Sequence, residues 1–319
     1  MTDQFTQHVS EQIKQAVSEK RQLQVAGSKS KVPLALDIEE VSMRENSGIV
    51  AYEPSELVIT VKSGTKLTDL ISALAERNQM LAFEPPNYGD STIGGTYACA
   101  LTGPSRPFRG VLRDFVLGTK MVDGRGQSLT FGGQMIKNVA GYDVSRMMAG
   151  SKGSMAVITE LSLKIIPLVE EVTYYKEMPE ADAILLMNQM AGTTLPLSGC
   201  AYYDGKFFYR VFGMHAKQLD ATPCDNNIWL ILNPFKPKLD AHQKLWRVET
   251  EGPAPSIPNT IAVGMCGQRR WVLSDESPAP YATLWQSYFA PRDQDPAPIS
   301  KIKKGLKNVF DPHHVFKTL

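Results

Sequence analysis

The chain has 319 residues, enough for about two domains of ordinary size. Hydrophobic residues make up 43% and charged residues 21%, the composition of a soluble globular protein, and a formal net charge of +1 gives no basis for nucleic-acid or membrane-surface binding. No apolar run approaches the ~20 residues that cross a bilayer, and the polar N-terminus MTDQFTQHVSEQIKQAVSEK lacks the apolar stretch of a secretory signal, so a cytoplasmic location is expected.

Thr2 is placed to cap a helix whose apolar face is Phe5, Val9, Ile13 and Val17. Gln22-Leu23-Gln24-Val25 alternates as a short strand and runs into the polar loop Ala26-Gly27-Ser28-Lys29-Ser30. Gly48–Tyr52 and Leu57–Val61 read as strands about the turn Glu53-Pro54-Ser55-Glu56. Gly64-Thr65 then opens a helix with Leu67, Leu70, Ile71 and Leu74 on one buried face. Strand, strand, helix is the order of an α+β fold rather than of a repeated βαβ unit.

From Phe83 to Leu168 the chain carries Gly89, Gly94, Gly95, Gly103, Gly110, Gly118, Gly141, Gly150 and Gly153 between apolar runs. Glycine accepts positive φ and close backbone approach to a ligand, and amide-lined loops form anion-binding concavities. Tight turns in a β-rich domain account for the same glycines equally well. No G-x-x-x-x-G-K-[ST] occurs, and Gly124-Arg125-Gly126 lacks a third glycine, so a P-loop and a Rossmann fold are not expected. Asp123-Gly124 instead reads as a hairpin turn between Val111–Val122 and Ser128–Phe131. Phe83–Pro86 is extended, because a residue before proline leaves the α region. Thr92–Gly95 opens a short helix through Tyr97-Ala98-Cys99-Ala100, and Gly103-Pro104 turns the chain. Arg106, Arg109 and Arg113 offer cationic charge to a pyrophosphate or a carboxylate. For Arg106 and Arg109 a solvated basic loop is the reading kept. Met155–Ile165 is an apolar, β-branched run suited to a buried strand.

Several of these motifs occur in one order: Thr92-Ile93-Gly94-Gly95, Gly103, Arg113-Asp114, Lys137-Asn138-Val139-Ala140-Gly141-Tyr142-Asp143, then Gly150-Ser151-x-Gly153 followed by Val157-Ile158-Thr159-Glu160. This order and spacing resembles the FAD-binding domain of the vanillyl-alcohol oxidase / p-cresol methylhydroxylase superfamily. Glu84-Pro85-Pro86, and Gly132-Gly133 ahead of KNVAGYD, bring it closest to the FAD-binding subunits of bacterial glycolate oxidases. The likeness covers residues 20 to 170 strongly. It implies a two-part FAD-binding domain of the p-cresol methylhydroxylase type over residues 1–168. It also implies a smaller α+β domain of helix and antiparallel sheet over 169–290, and a C-terminal segment, 291–319, that returns to the FAD domain.

By the same resemblance, Gly27, Ser28 and Lys29 form the first pyrophosphate loop, and Thr92, Ile93, Gly94 and Gly95 the second, opening a helix whose N-terminus suits phosphate. Pro86, Tyr97, Gly103, Arg113, Asp114, Gly150 and Gly153 complete the FAD contacts. Main-chain groups of the strand at Val157 and Ile158 face the adenine and ribose. Tyr142 packs the following helix and is assigned no chemistry, nor are Lys137 and Asn138. Some relatives carry a flavin-linking histidine near the first loop. None stands here, so FAD is expected to be non-covalent. The first loop is poorer in glycine than the family pattern, Ala156 stands where relatives often have glycine, and Lys317 where they have asparagine.

Beyond Pro167 the glycine motifs stop. Val172–Lys176 reads as a strand, and Glu180–Met190 as a helix with Ala183, Leu186, Met187 and Met190 on one face. Cys200–Tyr203 and Phe207–Phe212 flank the hairpin turn Asp204-Gly205. Few elements are expected over 222–259. Thr260–Cys266 is strand-like, 275–300 loop-like, and Ile302–Phe310 a final helix ended by Asp311-Pro312.

The four cysteines, Cys99, Cys200, Cys224 and Cys266, are far apart and form no C-x-x-C, so no iron–sulfur or zinc site is expected. Electrons from a flavin would leave through another subunit, a quinone or oxygen. Oxidation of a 2-hydroxy acid needs a base and a cationic partner for the carboxylate. None of His8, His215, His242, His313 and His314 sits in a recognisable base motif; Arg270 is the candidate for anion contact, with an exposed strand-end charge the reading preferred. No catalytic residue or metal ligand is assigned. The expectation is an FAD-binding subunit of a glycolate dehydrogenase, partnered by a larger catalytic flavoprotein subunit and an iron–sulfur subunit, held at the inner membrane if at all through those partners. A self-sufficient flavin dehydrogenase for a small 2-hydroxy acid and a structural subunit with a vestigial flavin pocket are the alternatives.

Overall fold

A computed structural model describes residues 3–31, 34–133, 143–213, 221–233, 235, 239–240, 242–250, 255–279, 282–284 and 297–317. The first helix starts at Asp3, whose carboxylate accepts hydrogen bonds from the Thr6 amide at 3.1 Å and the Thr6 hydroxyl at 2.7 Å. Thr2, the expected cap, lies outside the described residues. Helix α1 (Gln4–Ser18) buries Val9, Ile13 and Ala16. Strand β1 (Leu23–Ala26) pairs in parallel with β2 (Glu39–Ser42). The hairpin β3 (Ile49–Glu53) and β4 (Val58–Lys62) turns through a short 3-10 segment, with Leu57 at φ 55°. Helix α2 (Leu67–Ala75) buries Leu67, Leu70 and Leu74. Ile71, expected on that face, sits on its flank and stays 44% exposed. Strand β5 (Gln79–Met80), helix α3 (Ile93–Ala98) and helix α4 (Arg106–Arg109) follow.

The expected strand from Val111 begins only at Val116. Leu112–Phe115 is a 3-10 turn, in which Asp114 Oδ2 accepts from the Val111 amide at 2.9 Å. Strands β6 (Val116–Asp123) and β7 (Ser128–Gly132) then pair across the Asp123-Gly124 turn. After helix α5 (Val144–Met147) comes β8 (Ala156–Lys164), buried in eight of its nine residues. It is the middle of an antiparallel five-stranded sheet, β3-β4-β8-β6-β7. Cores on both faces explain why even Thr159, Glu160 and Ser162 are buried along it. Val157 packs with Val9, Ile13 and Phe316, whereas Ile158 and Leu161 join Leu70, Phe83 and Tyr97. Strand β9 (Ile166–Pro167) pairs with β5.

The second sheet begins with β10 (Glu171–Glu177) and carries helix α6 (Glu180–Ala191). Its eight strands are all antiparallel, in the order β13-β10-β12-β11-β15-β16-β14-β17. They are β11 (Leu197–Tyr203), β12 (Lys206–Phe212), β13 (Thr222–Cys224), β14 (Leu245–Glu249), β15 (Thr260–Gly264), β16 (Arg269–Leu273) and β17 (Thr283–Leu284). Helix α7 (Ile228–Leu232) precedes β14, so residues 222–259 hold more structure than their proline and asparagine content indicates. Helix α8 (Ala297–Phe310) already includes the five residues before the expected Ile302.

Two charged networks tie the molecule together. Arg210 on β12 reaches across to Glu84, with Nη2 2.7 Å from both carboxylate oxygens. Arg109 pairs with Glu171 at 2.7 Å, and Arg210 Nε lies 3.4 Å from the same carboxylate. Arg109 is therefore a buried ion-pair partner across the two sheets rather than a solvated loop charge. At the C-terminus Lys307 Nζ donates to Asp311 Oδ2 and the Phe316 carbonyl at 2.6 Å and to the Ser154 carbonyl at 2.5 Å. Asp311 also accepts the Val315 and Phe316 amides, each at 2.9 Å.

Candidate functional site

Two cavities share Cys99 in their walls. The smaller, about 80 Å³, lies where the loop after β1 meets the start of α3 and the turn before β8. Gly27, Ser28 and Lys29 line it, with Thr92, Gly94, Gly95, Gly153 and Ile158. Close packing demands glycine at Gly94, since a Cβ there would stand 2.6 Å from the Ser63 carbonyl oxygen. Thr92 caps α3, its hydroxyl accepting from the Gly95 amide at 3.1 Å.

The first turn of α3 spends its amides inside the chain. Ile93 N–H donates to the Thr65 carbonyl at 2.9 Å and Gly94 N–H to the Ser63 carbonyl at 2.8 Å. The expectation that this helix N-terminus offers free donors is therefore not met. Among the described residues, however, no protein acceptor takes the amides of Ser28, Lys29 or Ser30, and Lys29 holds φ 59°. The Lys29 ammonium is turned away onto Glu40 at 2.5 Å. Lys31 and Lys152 bring positive charge instead, both lining the cavity. Neither lysine stands out in the sequence, because they are distant along the chain and meet only when the two loops pack together.

The larger cavity, about 270 Å³, opens between the two sheets. Pro86, Gly103 and Arg113 line it from the first part of the chain, with Arg106, and Arg247, Arg269 and Trp271 from the second. A strand alternates its side chains between faces. In β14 and β16, therefore, Arg247, Arg269 and Trp271 share the cavity face, while Arg270 points the other way and is fully buried beside Glu180. Arg270 is thus neither at the cavity nor the exposed strand-end charge preferred for it. Glu249 lies 2.8 Å from Arg269 Nε and 3.0 Å from Arg247 Nε. Burial acts to raise its carboxyl, but Arg269, Arg247 and Arg106 outweigh burial and hold it below its ordinary value. At the shared wall, burial pushes the Cys99 thiol up to about 11 against the pull of Lys31 and Lys152.

The remaining candidates line neither cavity. Ile93, Tyr97 and Val157 are core residues, and the Tyr97 hydroxyl donates to the Ser145 carbonyl at 2.5 Å. Burial drives that phenol far up. Asp114 caps the turn at Val111, and Gly150, at φ 94°, donates its amide to the Tyr97 carbonyl. Lys137, Asn138, Tyr142 and His215 lie outside the described residues. His8, His242, His313 and His314 line neither cavity.

Residues 4–132 match the family model of an FAD binding domain. The glycolate oxidase subunit GlcE of Escherichia coli (strain K12) is 35% identical over 338 aligned positions, spanning 98% of this chain and 96% of the relative. The chain belongs to the family of that subunit. Glycolate oxidase subunit GlcD of Bacillus subtilis (strain 168) is 33% identical over 122 residues, 38% of this chain and 26% of GlcD. D-lactate dehydrogenase of Anaerostipes hadrus is 32% identical over 134 residues, 41% of this chain and 28% of that enzyme. The chain thus spans only about a quarter of those two longer relatives. In fold it is similar to alkyldihydroxyacetonephosphate synthase, at a TM-score of 0.66 and 13% identity over 96% of this chain and 74% of that one.

The smaller cavity suits the pyrophosphate of FAD: unengaged loop amides receive anionic oxygens, and two lysines supply charge. Bound there, the cofactor supplies the hydride-accepting chemistry, and the chain supplies its seat. Gly94→Ala tests that seat. The added methyl meets the Ser63 backbone, which cannot yield as a flexible side chain does, so α3 shifts away from the first loop. Flavin content per chain is expected to fall at least about tenfold, measured by absorbance of the purified protein, with the fold retained by circular dichroism.

Proposed function

We propose that this chain is the FAD-binding subunit of a multi-subunit glycolate oxidase that converts glycolate to glyoxylate. It holds FAD non-covalently on the loop at Gly27-Ser28-Lys29 and on Thr92, Gly94, Gly95, Gly153 and Ile158. Pro86, Gly103 and Arg113 border the flavin from the larger cavity. A larger catalytic flavoprotein subunit, of the kind GlcD represents, and an iron–sulfur subunit complete the assembly in the cytoplasm. Any association with the inner membrane runs through those partners; no described helix is long and apolar enough to cross a bilayer. Likeness to GlcE along almost the whole of both chains is the observation that carries this reading. The amide-lined loop beside Lys31 and Lys152 supports the cofactor assignment.

The purified chain is expected to be yellow, with a flavin absorption spectrum, and to release that flavin into the supernatant on acid precipitation. Glycolate added to the isolated chain is expected to leave the flavin oxidised, because among the described residues neither cavity wall contains a histidine or a carboxylate to take the hydroxyl proton. Bleaching by glycolate would instead establish a self-sufficient dehydrogenase. A colourless protein that takes up no added FAD would leave a structural subunit.

A further inference from the structure

The walls of the larger cavity combine a particular set of groups. Arg247 is buried and Arg269 nearly so, both carried on the second sheet. Arg106 and Arg113 line the same space from the first part of the chain and are exposed. Glu249 does not line the cavity but pairs with Arg247 and Arg269. Four guanidiniums against that one carboxylate leave the cavity cationic. Trp229, Phe235 and Trp271 add apolar wall, and a low local dielectric strengthens any ionic contact made there. A guanidinium offers a planar fork that matches a carboxylate in two parallel hydrogen bonds. The same wall holds no aspartate, glutamate or histidine among the described residues.

We infer that this cavity is a carboxylate-recognition site, in which the arginines from both parts of the chain bind a small organic acid that the chain does not itself oxidise. Recognition needs only the guanidinium forks; removal of the hydroxyl proton needs an acceptor, which the wall lacks. The thiols of Cys99 and Cys200 do not fill that role near neutrality, since burial, and for Cys200 first the hydrogen bond with Cys266, keeps both protonated. The inference rests on the subunit reading and deepens it: the assembly would contain two carboxylate sites, with turnover at the partner's. A site of this kind lets the level of acid substrate or product act on the complex through this chain.

The test uses the purified flavin-loaded chain and oxalate, an unreactive small dicarboxylate, titrated by calorimetry against acetate as the weak comparison. Oxalate is expected to bind at one site per chain. Arg106→Gln, at an exposed position that leaves the core intact, is expected to weaken it about tenfold. Glu249→Gln removes the competing carboxylate and is expected to tighten it several-fold, a direction that misfolding does not produce. Flavin absorbance is read on every sample, so loss of the cofactor seat is distinguished from loss of anion binding. Oxalate binding no stronger than that of acetate, or indifferent to both substitutions, overturns the inference. So does reduction of the flavin by glycolate in the isolated chain.

Discussion

Asp311→Ala is expected to cost about 3–5 kcal/mol of folding stability, the range for breaking a buried ion pair from one side. Asp311 is fully buried, and its carboxylate holds the Lys307 ammonium at 2.6 Å together with the Val315 and Phe316 amides. Its removal leaves a buried ammonium facing only the Ser154 and Phe316 carbonyls. It also frees the segment that seats Val315 and Phe316 against Val9, Ile13 and Leu23. Urea unfolding followed by circular dichroism measures the loss, and limited proteolysis should trim the C-terminal segment of the variant before the rest of the chain. Lys307→Met with Asp311→Leu, which removes both charges, should recover part of the lost stability, because the penalty lies in the orphaned charge. A single variant within about 1 kcal/mol of the parent would show that the network contributes no more than an exposed pair.

Arg210→Ala is the second large effect, again about 3–5 kcal/mol. The Arg210 side chain bonds Glu84 across the junction, donates to the Ser198 hydroxyl and carbonyl, and lies 5.0 Å over the Trp229 ring. Glu84 would keep only the Ser105 amide, at 3.2 Å, and Glu171 would keep only Arg109. Docking of the two parts should loosen, because Glu84 and Arg109 belong to the first and Arg210 and Glu171 to the second. The expected signature is earlier cleavage by protease between the two parts, alongside the lowered urea midpoint. Arg210→Lys keeps the charge but loses the fork, and should fall between parent and alanine variant. An unchanged protease pattern in Arg210→Ala would mean that apolar contacts alone hold the parts together.

Much of the fold is legible because its signals are local. Asp204-Gly205 announces its hairpin because both residues take the positive φ that a tight turn needs, and in the Asp123-Gly124 turn that conformation falls on Gly126. Met155–Ile165 is readable as a buried strand because two cores press on β8 and leave neither face exposed. Thr92 is readable as a cap because its hydroxyl can serve the amide three residues on. Helix α8 is harder, because its first turn, APIS, is exposed and carries a proline, and the helix is anchored by Phe310 and Lys307 at its far end. The turn at Leu112–Phe115 is missed for a similar reason: Asp114 bends back to the Val111 amide where apolar residues alone suggest a strand.

The chain's order of residues alone determined the α+β class and the glycine-rich turns of its first half, and its resemblance to FAD-binding domains pointed to the loops at Gly27 and at Thr92, Gly94 and Gly95 that line one cavity. It did so because capping, turn chemistry and alternation are settled within a few residues. Only the tertiary structure decided which cations serve which cavity. Arg269 faces the opening and Arg270 the core because β16 pairs with β14 and β15 in one register, and a slip of one residue would exchange them. Likewise Lys31 and Lys152 become neighbours only when β1 and β8 bring their loops together, and Arg109 becomes a buried clamp only when Glu171 arrives from the second sheet. Charge carries no local pattern of its own; its role is set by what the rest of the chain places opposite it.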